Sequence, residues 1–486
     1  MINRRLIVVI CLTVALICTG YFLFNYTNLR NAITQPLNKS HSDFLPKPIQ
    51  PGNESLYDIT LKMDPNGTFH VHSSISITNT SANSWSELVF YFILNMFTKS
   101  NSPNLDEPAK IIIDKISIDG TDAKFTLEKD KLNVLMKEKL EPKQVVVVEV
   151  IYQFTLPEGG LRFNKSNGNF YLAQWYPMIA TYREGWNKND FLFKGESYHT
   201  AFSNVKIEYD IPKNFTIVTT SEEDLYPSKS QGKIEARNVK EFFIAILADH
   251  KIIEKELGDI NIRVFSVDNK KDISEIIDIA YASLEYFQKT IGPYPYKQLD
   301  IVLDESGMEY PGIVTANSIN KNSSISSDAL KRMVVHEIAH QWFYGMISND
   351  PFTDAWLDEG LAELATGMFY SDYSDETLAF EEERYVDLPF PVNLPLDKYT
   401  KNQSSYIYGK STSMLWKVFE KNGGKSTAKD YLKKYFETYQ YKEVDTKEFI
   451  RFLKYYLNIT DDSLFSSWLV LDEKALLPIS NKNTLP

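Results

Sequence analysis

The chain has 486 residues, with 52 Lys+Arg against 64 Asp+Glu, giving a formal net charge of −12. Hydrophobic residues make up 43% and charged residues 24%, which excludes a largely disordered chain, and the length implies more than one buried core. The acidic balance argues against a general nucleic-acid binder, and a mean hydropathy of −0.29 excludes a polytopic membrane protein.

Leu6 to Phe24 is an uncharged apolar run. At about 1.5 Å per residue it is long enough to cross a hydrocarbon core of about 30 Å. Arg4 and Arg5 precede it and Arg30 follows, so the positive-inside rule leaves a short tail in the cytoplasm and puts the body outside. A cleaved signal peptide has a similar layout, which leaves secretion as the alternative. The run is long for one, however, and no small-x-small cleavage site follows it. An uncleaved single-pass anchor over residues 1–24 is the preferred reading. Both cysteines, Cys11 and Cys18, lie inside the run, and Ile17 is too bulky for lipoprotein processing. The body therefore has no disulfide, which fits a bacterial surface. Sequons at Asn38, Asn53, Asn214 and Asn402 read as chance in a chain rich in Asn and Ser. Residues 25–50, rich in Asn, Ser, Thr and Pro, read as a linker.

From Leu56 the period is two. Tyr57, Ile59, Leu61 and Met63 alternate with polar neighbours, Asp64-Pro65-Asn66-Gly67 supplies a turn, and Phe69, Val71, Ile75 and Ile77 follow on one face. Further strands are expected over Ile111–Ile118, Val145–Phe154, Val205–Tyr209 and Glu241–Ile246, with Val145–Val150 buried on both faces. Residues 51–255 thus read as an antiparallel β domain. After Asp268 the period becomes helical: Ile273, Ile276, Ile277, Ala280, Leu284 and Phe287 share one face, and Gly292-Pro293 ends the helix. Leu299–Leu303 reads as a short strand. From Asp328 onward helix dominates, with Asp445 and Glu448 marking one capped start.

The chemistry is concentrated in His336-Glu337-Ile338-Ala339-His340. On a helix, positions i and i+4 share a face, so both imidazoles can reach one ion, and Ser327-Asp328 can cap that helix. Zinc suits neutral imidazoles in a tetrahedral site that keeps one position for water, and Glu337 stands beside it as a base. Nineteen positions past His340, Glu359 lies within Trp356-Leu357-Asp358-Glu359-Gly360. Gly345 and Asn349-Asp350-Pro351 break the first helix, so a second can return beside it and supply Glu359 as the third ligand.

These motifs resemble the aminopeptidase N-like zinc metallopeptidases of the gluzincin group, whose signature is HExxH, eighteen residues, then Glu within W-L-x-E-G. The resemblance is strong from residue 292 to 415 and covers about 51–486. It implies a multidomain α+β chain: a saddle-like antiparallel β domain, then a mainly helical, thermolysin-like catalytic domain over 256–486. It also implies one zinc per chain and peptide substrates. The family strand G-x-M-E-N is similar to Gly307-Met308-Glu309-Tyr310, which implies that Glu309 holds the substrate's free amine, with Gly307 and Met308 beside it. Tyr310 stands where the family has Asn. Tyr408-Gly409-Lys410-Ser411 resembles the segment whose Tyr stabilises the oxyanion, with Tyr406 as the competing choice. Gln174 matches a Gln that lines the substrate site from the β domain in relatives. Arg332 and Glu363 are assigned no role, and His41, His70, His72, His199 and His250 read as structural.

Three functional readings follow from the sequence: a membrane-anchored zinc aminopeptidase, an anchored zinc endopeptidase, and a non-catalytic scaffold of the same fold. Intact His336, Glu337, His340, Glu359 and Tyr408 favour an enzyme, and Glu309 favours the first.

Overall fold

Tyr57, Ile59, Leu61 and Met63 of strand β1 (Asn53–Met63) are buried, as are Phe69, Val71, Ile75 and Ile77 of β2 (Thr68–Asn79). A buried, mostly apolar residue at every second position gives each strand one inward face, and the two pair antiparallel with Met63 opposite Phe69. The protein is seen here as a computed structural model that describes residues 44–248, 250–266, 273–317, 325–374 and 383–471. The expected anchor, Cys11, Cys18, Asn38 and His41 lie outside the described residues, among which no helix is long and apolar enough to cross a membrane. The end of the expected linker is not a spacer. Lys47 N–H donates to Glu448 Oε1 at 2.8 Å and Ile49 N–H to Glu443 O at 2.9 Å, so this stretch lies on the body.

A seven-stranded sheet runs in the order Gln231–Val239, Ser203–Asp210, β1, β2, Val145–Thr155, Ile111–Ile118, Thr121–Asp122. Its neighbours are antiparallel except β1 with Ser203–Asp210, which run parallel. Val146, Val148 and Val150 are buried, but Val145 and Val147 are exposed, so the valine run alternates and is not buried on both faces. Among the described residues nothing covers its outer face at Val145 and Val147, and sequence composition alone does not report that. The strand expected at Glu241–Ile246 spans only Ile244–Leu247, because Glu241 turns into a polar network described below. Asn53 is buried with its amide donating to Ala180 O at 2.8 Å, which closes that sequon to a glycan. His70, His72, His199 and His250 each lie beside a carboxylate, those of Asp64, Glu149, Glu443 and Asp304 respectively.

The next sheet joins Lys251–Leu257, Ile260–Ser266, Gln298–Val302 and Ile313–Thr315 in that order. It begins at Lys251, so a boundary at 255 falls inside its first strand. Helices α1 (Ile273–Thr290), α2 (Ser327–Ala339) and α3 (Trp356–Tyr373) pack on one another, and α2 also meets strand Ile313–Thr315. The cap of α2 is Ser326, one residue earlier than expected, its hydroxyl accepting from Ala329 N–H at 3.2 Å. Helices α4 (Ser411–Lys421), α5 (Gly424–Tyr439) and α6 (Thr446–Leu457) complete this part, and Asp445 caps α6 as read. A buried cluster joins Tyr171, Ala173 and Phe243 to Val302, Met308, Tyr310 and Ile313. The segment carrying Glu309 is therefore seated against the β domain.

Candidate active site

Helix α2 carries His336 and is capped at its C-terminus by His340 four residues on, and the first turn of α3 carries Glu359. His336 Nε2 lies 3.2 Å and His340 Nε2 3.1 Å from Glu359 Oε2, and the two imidazole nitrogens are 3.1 Å apart. Zinc bonds of about 2.0–2.2 Å at tetrahedral angles put ligand atoms about 3.3–3.6 Å apart, so the trio fits zinc with a few tenths of an ångström of expansion. These three residues are also the one cluster among the described residues with metal-binding geometry.

Each histidine has its other nitrogen beside an oxygen. His340 Nδ1 lies 2.9 Å from the carbonyl of Phe343, and His336 Nδ1 lies 3.2 Å from Glu363 Oε2. Glu363 is in turn paired with Arg332. The Phe343 carbonyl on Nδ1 fixes the His340 tautomer and leaves its Nε2 free to ligate, while Glu363 stands as an ion-pair partner beside His336. Glu363 and Arg332, unassigned from sequence, thus support His336. The available signal was spacing, since Glu363 follows Glu359 by one helical turn.

Burial opposes the charged form of His336, but Glu359 and Glu363 outweigh it and push its pKa up to about 9. Burial also works against Glu359, whose carboxyl is nevertheless held well below the usual range by the two histidines. Protons therefore compete with a metal for this site. Apparent zinc affinity should weaken as the pH falls below about 9. A dissociation constant unchanged over that range would remove the imidazoles from the ligand set.

Glu337 occupies the next flank of α2, and its carboxyl is raised by burial, with His336 and His340 partly opposing. Gly307 is its neighbour. A Cβ on Gly307 would come within 2.3 Å of Glu337 Oε1, so only glycine leaves that carboxylate its place. Met308 pairs with Thr315 through N–H to O contacts of 3.2 and 2.9 Å, which makes Gly307–Glu309 an edge on the sheet. Glu309 is buried, and burial raises its carboxyl, reinforced by Glu196, Glu337 and Glu359 against His340. Tyr310 takes no part in this face. Its ring stacks on Phe243 at 4.1 Å and its carbonyl accepts from Gln341 Nε2 at 3.0 Å.

Tyr408 lies on a π-helical turn, Ser405–Lys410, its hydroxyl donating to Glu359 Oε1 and its ring centroid 5.7 Å from that of His336. Tyr406 is buried against Tyr399 and Phe390, which separates the two candidates in favour of Tyr408. Gln174 is buried and gives its Nε2 to Tyr198 Oη at 3.1 Å and to Glu241 Oε2 at 2.5 Å. Arg162 pairs with Glu196 at 2.5 Å in the same β-domain network. Burial takes the Glu196 carboxyl up to about 7 against the pull of Arg162. Nothing in the motif reading pointed to Arg162, Glu196 or Glu241.

Residues 276–468 match the Peptidase family M1 domain. Alanine/arginine aminopeptidase of Saccharomyces cerevisiae is 24% identical over 227 residues, covering 41% of this chain and 26% of that protein. Aminopeptidase M1-D of Oryza sativa subsp. japonica is 22% identical over 400 residues, covering 71% of this chain and 42% of its own. The chain thus spans less than half the length of these curated relatives. Among solved structures, an M1 zinc metallopeptidase from Deinococcus radiodurans aligns with TM-score 0.60 at 16% identity, over 88% of this chain and 96% of its own. That likeness establishes the two-part fold.

Proposed function

We propose, for a chain that carries a peptidase family M1 domain over residues 276–468, a zinc-dependent aminopeptidase that removes N-terminal residues from peptides. The carrying observation is the convergence of His336, His340 and Glu359 within 3.2 Å of one another, with Glu337 on the adjoining flank. Zinc held by these three would polarise a water and the scissile carbonyl. Glu337 takes the proton of the attacking water and returns it to the leaving amine, a role suited to a carboxyl raised by burial. Burial keeps the Tyr408 phenol protonated, so it can donate to the oxyanion that develops during attack. Gly307–Glu309 offers an edge along which an extended peptide can lie, and Glu309 meets its ammonium end.

Glu309→Ala is the discriminating variant. A charge-assisted contact in such a pocket is worth roughly 1.5–3 kcal/mol, about ten- to a hundredfold in kcat/KM. Cleavage of free-amine peptides should fall by that factor with zinc content unchanged, while N-acetylated peptides should be unaffected. Internal cleavage of acetylated peptides by the wild type, untouched by Glu309→Ala, would instead establish the endopeptidase. A wild-type chain that binds zinc and cleaves neither class would be the scaffold.

The same proposal places the catalytic part outside the cell, held by the apolar run Leu6–Phe24, with secretion after cleavage as the alternative. Its support is the arginine pair before that run. Recovery of the full-length chain in the membrane fraction, digested by protease added to intact cells, is the expected result.

A further inference from the structure

Tyr344 closes the turn after His340, and its backbone stands at φ 121°. That region favours glycine, because a Cβ there crowds the flanking peptide groups. A tyrosine in it must be held.

The peptide unit between Phe343 and Tyr344 shows what the conformation achieves. Its carbonyl lies 2.9 Å from His340 Nδ1, and its N–H donates to Ile347 O at 2.9 Å. The peptide group is planar, so φ of Tyr344 helps aim both ends at once. The next residue returns as well, Gly345 N–H donating to His340 O at 2.9 Å. A Cβ on Gly345 would come within 2.7 Å of Gln341 O, so the turn has no slack. Rotating Tyr344 to an ordinary negative φ would swing the Phe343 carbonyl off Nδ1. His340 would then lose the acceptor that fixes its tautomer.

The restraint comes from the other domain. Tyr344 is buried, and its hydroxyl donates to Glu241 Oε1. Glu241 is itself fixed by Tyr198 Oη at 2.6 Å and Gln174 Nε2 at 2.5 Å. We infer that Tyr344 is a positioning residue for the metal ligand His340, held in its strained backbone by its hydrogen bond to Glu241 of the β domain. The metal site is then built by both domains, and Gln174 acts behind it by orienting Glu241. This inference rests on the zinc reading above.

The test compares the wild-type chain with Y344F and Y344G. Zinc affinity is measured by competition with a chromophoric chelator, and geometry by the visible spectrum of the cobalt-loaded protein. Y344F keeps the ring and the strain but loses the restraint. It should bind zinc about 10–100-fold more weakly, with a shifted cobalt spectrum. Y344G reaches φ 121° unaided, so despite losing the whole side chain it should bind zinc more tightly than Y344F. Wild-type affinity and spectrum in Y344F would overturn the inference, as would Y344G binding no better than Y344F. Should Y344G not fold, Y344F, which lacks a single oxygen, decides alone. A wild type that takes up no zinc fails the zinc reading and this inference with it.

Discussion

Glu337→Gln is expected to retain zinc and to lose turnover by about 10²–10⁴-fold, the range for removing one general base. Glu337 lies outside the three-residue ligand set, so metal content should match the wild type. Gln has the shape of Glu, and Gly307 leaves it the same space, so the local packing should persist. What changes is the proton. A carboxylate can accept the proton of the attacking water, whereas an amide cannot. Metal content and kcat measured on one preparation check both halves. Unchanged turnover would assign the base elsewhere, and loss of zinc would make Glu337 a ligand.

The features legible in the sequence are those fixed by spacing along one element. Two-residue alternation placed the inward faces of β1 and β2, and four-residue spacing brought His336 and His340 together. Glu359 was legible because a helix break between the motifs returns the chain beside α2. The valine run failed as a guide because burial of its second face depends on whether another layer covers it. Tyr344 and Glu241 are separated by 103 positions, and Gln174 and Glu241 by 67, so no period or motif links them. They meet only because the cluster containing Phe243 and Tyr310 packs the two domains together. The same packing occupies Tyr310, whose side chain serves the interface by stacking on Phe243.

Removing Glu359 tests the metal site most directly, and comparison with Glu363 separates ligand from support. Catalytic zinc is held by three protein ligands, and Glu359→Ala leaves two imidazoles 3.1 Å apart with no carboxylate at Nε2. It also strips the Tyr408 hydroxyl of its acceptor. This variant should bind no zinc after dialysis against a mild chelator and show no hydrolysis above background. Glu363→Gln is expected to behave differently. Its carboxylate touches His336 only at Nδ1, and Gln keeps an oxygen there while losing the charge and part of the bond to Arg332. Outer partners of this kind typically contribute about 10–100-fold to metal affinity, so Glu363→Gln should release zinc at lower chelator concentration yet remain active when zinc is supplied. Full zinc occupancy in Glu359→Ala would remove it from the ligand set. Equal losses in both variants would mean that His336 needs its outer carboxylate as much as the metal needs Glu359.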